Sequence, residues 1–214
     1  MSAHHGHEHR PGLLHRLHRR FHRTGEMGVD GEVYDRTSGR LNGRLYRRAA
    51  ADVAQVAQEV APDGAAVLDV GAGTGRLLAA LADVLPGARI TGVDVAETMV
   101  EVARRRTATL ERVTVDAGDV GELPYPDAQF DVVVSTLSMH HWPDQAAAVA
   151  EVARVLRPGG ALLVFDFARV DASALAAAAR DGGPFAGAAP DRTRLPLLRF
   201  FPVPRLARYT LHRA

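Results

Sequence analysis

The stretch VLDVGAGTGR at residues 67–76 constrains this chain more than any other part of it. A continuous apolar run enters a turn holding Gly71, Gly73 and Gly75, and a helix-forming run follows at once. A short unbroken apolar run of this kind reads as a strand buried on both faces, the hallmark of a parallel sheet. Glycines suit the turn because it is tight and because a ligand must come close to the backbone. The helix behind it presents free N–H groups at its start. A tight loop with no ligand would use the same residues, so the spacing matters. The dinucleotide fingerprint is G-x-G-x-x-G. Here the third glycine falls one position early, and Arg76 stands where that pattern wants glycine. Asp69, just before the loop, would repel a diphosphate and suits a ligand carrying an ammonium group.

The rest of the body repeats the alternation of strand and helix. AAVLDV (65–70) is the first strand, and Arg76 to Leu85 is a helix ended by Pro86-Gly87. ARITGVD (88–94) is the second strand and Glu97 to Arg106 the second helix. RVTVDAGD (112–119) carries the third strand and 131–135 the fourth; Asp144 to Leu156 is a helix stopped by Pro158-Gly159-Gly160, and 161–167 is a fifth buried strand. Upstream, Leu41, Leu45, Ala49, Val53 and Val56 share one face of a helix running from Thr37 to about Val60. This order predicts right-handed βαβ units on a parallel sheet. In the tail, LPLLRFF and LARYTLH flank Pro-Val-Pro and predict an antiparallel hairpin at the sheet edge.

Two acids take on meaning from their place in this order. Asp94 ends the second strand about twenty residues after the glycine loop, at the carboxyl edge where open α/β sheets bind ligands. A carboxylate there accepts both hydroxyls of a ribose, although an ordinary solvated Asp also ends many strands. Asp119 follows the third strand, placed to reach the exocyclic amine of an adenine, with the Val120 N–H on a ring nitrogen.

The ordered set VLDVGAGTG, GVD, AGDVGELPYPDAQFDVVVS, HHWPD and RVLRPGG resembles the class I S-adenosylmethionine (SAM)-dependent methyltransferases. The branch it is most similar to is that of the quinone-biosynthesis C-methyltransferases, over residues of about 33 to 167. The resemblance implies a doubly wound, mostly parallel seven-stranded α/β sheet whose seventh strand is antiparallel, in keeping with the tail hairpin. It also implies SAM as cofactor and S-adenosylhomocysteine as product. On this resemblance Asp69, Gly71, Gly73, Thr74 and Gly75 line the methionine part, and Asp94 and Val95 hold the ribose and one adenine face. Asp119 and Val120 read the adenine edge, Thr136 lies near the methionyl group, and Tyr34 loosely matches a tyrosine that closes over the cofactor.

Methyl transfer disperses the charge of a sulfonium, so in-line positioning and exclusion of water supply much of the rate. A base is needed only where the acceptor keeps its proton until transfer. His140 and His141 in SMHHWPD are the candidates, against the plainer role of packing the loop and capping the next helix. Asp166, at the end of the fifth strand, is a further acceptor-site candidate.

Composition closes off other chemistries. The chain has no Cys and no Lys, and all 26 basic residues are Arg. Thiolate nucleophiles, Cys-ligated zinc, Schiff-base lysines and the P-loop are therefore excluded. A Lys-free, Ala- and Arg-rich chain suggests a GC-rich bacterial genome. Net charge is +1, which gives no reason to expect nucleic acid. No apolar stretch reaches the roughly 20 residues of a membrane span, and a cytoplasmic protein is expected. Residues 1–33 read as a His/Arg-rich arm, flexible or lid-forming, ahead of a SAM-binding domain at 34–214. Its His4, His5, His7 and His9 lack fixed spacing, so no metal site is expected, and its 13–23 helix fits a solvated arm, a lid or an acidic surface.

The expected reaction moves a methyl group from SAM to a small-molecule acceptor, with O, C and N all open. The Ala/Gly/Pro-rich segment 168–194 favours an apolar or aromatic acceptor. A non-methylating reaction such as a cyclisation, and a non-catalytic binding module, are the competing readings. An NAD-dependent oxidoreductase is disfavoured by the glycine spacing. Monomer and homodimer both remain open.

Overall fold

The computed structural model of the chain describes residues 31–180, 182–185, 191–195 and 206–214. The histidine cluster at His4 to His9 and the arm helix expected at 13–23 lie outside the described residues. In chain order the elements are α1 (Gly31–Val60), β1 (Ala66–Val70), α2 (Arg76–Val84), β2 (Arg89–Asp94), α3 (Glu97–Thr107) and β3 (Val113–Ala117). There follow β4 (Phe130–Thr136), a 3-10 turn (Met139–His141), α4 (Gln145–Val155), β5 (Leu156–Phe167), α5 (Ser173–Ala178), β6 (Asp191–Leu195) and β7 (Leu206–His212).

The strands form one seven-stranded sheet in the order β3-β2-β1-β4-β5-β7-β6. Pairs from β3 through to β5 are parallel, and β7 is antiparallel to both β5 and β6. The strand order reverses between β1 and β4, and such a switch point opens a crevice at the carboxyl ends of the strands.

Alternation along the central strands explains why helices cover both faces. Val67, Val132, Val134, Leu163 and Phe165 join Leu45, Ala49 and Val53 of α1, Leu78 and Leu81 of α2, and Val100 of α3. Leu68, Val70, Val133, Leu162 and Val164 point the other way, onto Val149 and Val152 of α4 and Leu175 of α5. β1 and β4 are buried along their whole length, as the unbroken apolar runs predicted. α1 is also tied to the sheet by charge. Asp52 accepts from Arg48 at 2.8 Å on its own helix and from Arg208 of β7 at 2.9 Å. Asp52 is a buried carboxylate, and such a group is tolerated because it is paired.

Four boundaries differ from the sequence reading. The described part of α1 runs from Gly31, so residues 31–33, expected in the arm, are helical. β3 ends at Ala117 rather than 119, because the Asp119 carboxylate accepts the Gly121 N–H at 2.8 Å and folds the chain into a turn. β5 begins at Leu156: α4 stops at Val155, and Pro158-Gly159-Gly160 lie within the strand, across a register shift opposite Phe130/Val132. The edge hairpin exists, but its described first strand is Asp191–Leu195 rather than 195–201, and residues 196–205 lie outside the described residues. Among the described residues no helix is long and apolar enough to cross a membrane.

Candidate active site

A cavity of about 260 Å³ opens at the carboxyl edge of the sheet over the switch point. Its floor is the glycine loop. Gly71 and Ala72 both donate to the Val93 carbonyl, at 2.9 and 3.0 Å, which pins the loop to β2. Gly71, Gly73 and Gly75 all have positive φ, at 71°, 52° and 75°. L-residues other than glycine pay roughly 1–2 kcal/mol in that region. A Cβ on Gly73 would meet nothing within 4 Å, so its need is conformational and it leaves bare backbone facing open space. From α3, the Arg106 guanidinium donates to the Thr74 carbonyl at 2.5 Å and to its hydroxyl at 3.1 Å, clamping the loop from behind.

Two acids meet above this loop. Asp69 is 1% exposed and has no hydrogen-bond partner among the described residues. Burial, and second the Asp94 charge, push its carboxyl up to about 8. Asp94 accepts the N–H of Gly73 at 2.8 Å on one oxygen and that of Ala96 at 2.9 Å on the other. Burial raises its carboxyl above the ordinary range although those backbone donors pull the other way. Across the cavity the buried Thr136 hydroxyl also lacks a partner among the described residues. An apolar hollow with an unpaired acid and an unpaired hydroxyl in its wall suits a cationic, hydrogen-bonding ligand. The far wall is the 118–129 loop with Asp119 and Val120. Arg154 holds that loop, donating to the carbonyls of Leu123 at 3.0 Å and Tyr125 at 2.7 Å, while the Tyr125 hydroxyl donates to Asp116 at 3.0 Å.

Of the residues expected at the cofactor, Asp69, Gly71, Gly73, Thr74, Asp94, Val95, Asp119, Val120 and Thr136 line the cavity. Gly75 does not. A Cβ there would lie 3.0 Å from that of Ala103 and 3.1 Å from the Ala103 Cα, so this glycine lets α2 start against α3. Tyr34 lies in α1, with its side chain outside the described residues. The tyrosine that does line the cavity is Tyr46, three turns further along α1. Nothing in the sequence singled it out, since it stands beside Leu45 in an ordinary apolar helix face. Leu137, Ser138 and Trp142 are further lining residues that spacing alone could not reveal.

The two histidines separate. His141 lines the cavity and His140 does not. The His140 Nδ1 lies 2.8 and 3.1 Å from the two oxygens of Asp166, which is fully buried. The same carboxylate accepts the backbone N–H of His140 at 3.1 Å and of Phe167 at 2.7 Å. The imidazoles of His140 and His141 lie 3.9 Å apart between centroids and are tilted by 44°, so His140 adjoins the ring that lines the cavity. A carboxylate on Nδ1 favours the proton there and leaves Nε2 as the basic nitrogen. Asp166 is thus joined to His140 across the ends of β4 and β5. Among the described residues no group of three or more acids and histidines is arranged to hold a metal ion.

Comparison with known proteins agrees with this geometry. The family described as "Methyltransferase domain" matches residues 68–164. The 27-O-demethylrifamycin SV methyltransferase of Amycolatopsis mediterranei is 38% identical over 149 residues, covering 67% of this chain and 48% of that protein. The demethylmenaquinone methyltransferase of Staphylococcus aureus is 38% identical over 104 residues, 48% of this chain and 43% of that protein. A solved structure from Methanococcus maripaludis, assigned to the SAM-dependent methyltransferases, superposes with a TM-score of 0.58 at 26% identity, over 71% of this chain and 70% of that one. A switch-point cavity on a sheet with an antiparallel β7 defines a Rossmann-like methyltransferase domain. The chain belongs to the class I SAM-dependent methyltransferase family, whose cofactor is SAM. Its match spans less than half the length of the curated relatives.

Proposed function

We propose that this chain is a SAM-dependent O-methyltransferase acting on a small, largely apolar or aromatic molecule that carries a hydroxyl group. The observation that carries the reading is the His140–Asp166 pair, held beside the cavity-lining His141. SAM supplies a methyl group made electrophilic by its sulfonium. Asp69 and Thr136 would meet the cationic methionine end, where each lacks another partner. Asp94 would take the ribose hydroxyls on lone pairs left free by Gly73 and Ala96, and Asp119 and Val120 would face the adenine.

On the acceptor side, His140 Nε2 would take the hydroxyl proton as the acceptor oxygen receives the methyl group. The sulfonium would serve as the leaving group, and Asp166 would stabilise the imidazolium that His140 becomes. A buried carboxylate holding three donors cannot swing away, so the ring keeps one tautomer and one orientation. An O-acceptor is supported by the printed name of the A. mediterranei relative, a 27-O-demethyl substrate. Relatives in A. mediterranei and S. aureus also support a bacterial source. A cytoplasmic setting belongs to the same proposal.

The test is release of S-adenosylhomocysteine from SAM in the presence of a panel of phenols and hydroxylated polycycles, with the product bond identified by NMR. His140→Gln should lower kcat by about 10²–10⁴-fold, the usual worth of a positioned base, at unchanged SAM affinity. A methyl group found on carbon or nitrogen, or a fully active variant, refutes the assignment. Tight SAM binding with no methyl transfer to any acceptor would favour a non-methylating member of the fold.

A further inference from the structure

Ser138 touches both halves of the site. It follows Leu137, a non-glycine residue with φ of 54° whose N–H donates to the Phe165 carbonyl at 2.8 Å. That left-handed step turns the chain off β4 and into Met139–His141. On one side, a Cβ placed on Gly71 would collide with the Ser138 hydroxyl and lie 2.5 Å from its Cβ, so the serine is packed directly against the glycine loop. On the other, the Ser138 hydroxyl accepts the indole N–H of Trp142 at 3.1 Å. Ser138 and Trp142 thereby bracket the turn. Within it the His141 N–H donates to the Ser138 carbonyl at 2.8 Å, and the fully buried Met139 pins its base. Ser138, His141 and Trp142 all line the cavity.

We infer that Ser138 is a positioning residue that couples the glycine loop to the turn carrying His140, so that a filled cavity sets the alignment of the base. The inference rests on the reading of His140 given above. A ligand laid along Gly71 to Gly73 presses on a loop with no slack against Ser138. Any shift of the serine is passed on to the indole and, through the turn, to the adjoining imidazoles.

Trp142 is the only tryptophan in the chain, so its emission reports this contact without reference to turnover. The experiment titrates S-adenosylhomocysteine into the wild-type protein, Ser138→Ala and Ser138→Cys while following tryptophan fluorescence. Calorimetric affinity and kcat against pH are measured alongside. The wild type should show an emission change that saturates with ligand. Ser138→Ala should keep its affinity within a few-fold, lose most of that emission change, and lower kcat by roughly five- to tenfold, the worth of one hydrogen bond. Its kcat should fall off at the same pH as the wild type's, because Asp166 still holds His140. Ser138→Cys, with a weaker acceptor, should fall between the two.

A wild-type emission response in Ser138→Ala overturns the coupling whatever His140→Gln does. A complete loss of ligand affinity also overturns it, by making Ser138 a direct ligand contact. A lost response together with a fully active His140→Gln would sink the base assignment and leave the mechanical link standing. Should Ser138→Ala fail to fold, the comparison of Ser138→Cys with wild type decides in the same way.

Discussion

Replacing Asp69 with asparagine removes a titrating group from the cavity wall while keeping its shape. In the folded protein this buried carboxyl is pushed up to about 8, chiefly by its removal from water. In the unfolded chain an aspartate titrates near 4. Between those values the native state holds a proton that the unfolded chain has released. The stability of the ligand-free protein must then fall as pH rises. This one group accounts for a loss of about 2 kcal/mol between pH 6 and pH 8. Asp69→Asn lacks that slope. Urea unfolding at pH 6, 7 and 8 should therefore show the variant gaining on the wild type by about 2 kcal/mol across the window, with other titrating groups cancelling in the difference. A cationic ligand reverses the preference, because an ammonium group beside Asp69 favours the carboxylate. SAM affinity of the wild type should rise with pH over the same window, by at most about tenfold per unit, and the variant should bind more weakly without that slope. A stability difference that does not change with pH would refute the argument, since Asp69 would then be ionised in the native state throughout the window.

Two further outcomes follow from single contacts. Asp94→Ala releases the N–H groups of Gly73 and Ala96 and removes the proposed ribose acceptor. It should weaken S-adenosylhomocysteine binding, measured by calorimetry, by about 1–3 kcal/mol, and unchanged affinity would take Asp94 out of the site. Ala128 has a positive φ of 53° in the loop before β4. Ala128→Gly should raise the unfolding free energy by roughly 0.5–1 kcal/mol, the left-handed penalty less the extra chain entropy of glycine, and a loss of stability in urea would contradict this.

The layered fold was legible because its causes are local and periodic. Unbroken apolar runs such as 65–70 mark doubly covered strands, and the alternation with helical periods leaves few ways to build a sheet. The glycine loop, Asp94 and Asp119 could be placed because each ends or closely follows a strand, and parallel strands bring their carboxyl ends to one edge. Boundaries set by long-range pairing were less accessible. Leu156 is drawn into β5 by Phe130, and the edge pairing of Asp191–Leu195 with Leu206–His212 depends on which residues β7 meets after a long connection.

Amino-acid order alone was enough for the protein class and for nine of the residues around its cavity. Roles that depend on neighbours distant in the chain were not available from it. Gly75 has the same spacing as its two sister glycines, yet it faces Ala103 of another helix rather than the cavity. His140 and His141 are adjacent and chemically identical as letters. Only the meeting of β4 and β5 sets Asp166 against one of them and turns the other to the cavity. Main-chain periodicity carries information over a few residues, whereas the pairing of a buried charge is fixed by whichever strand packs alongside.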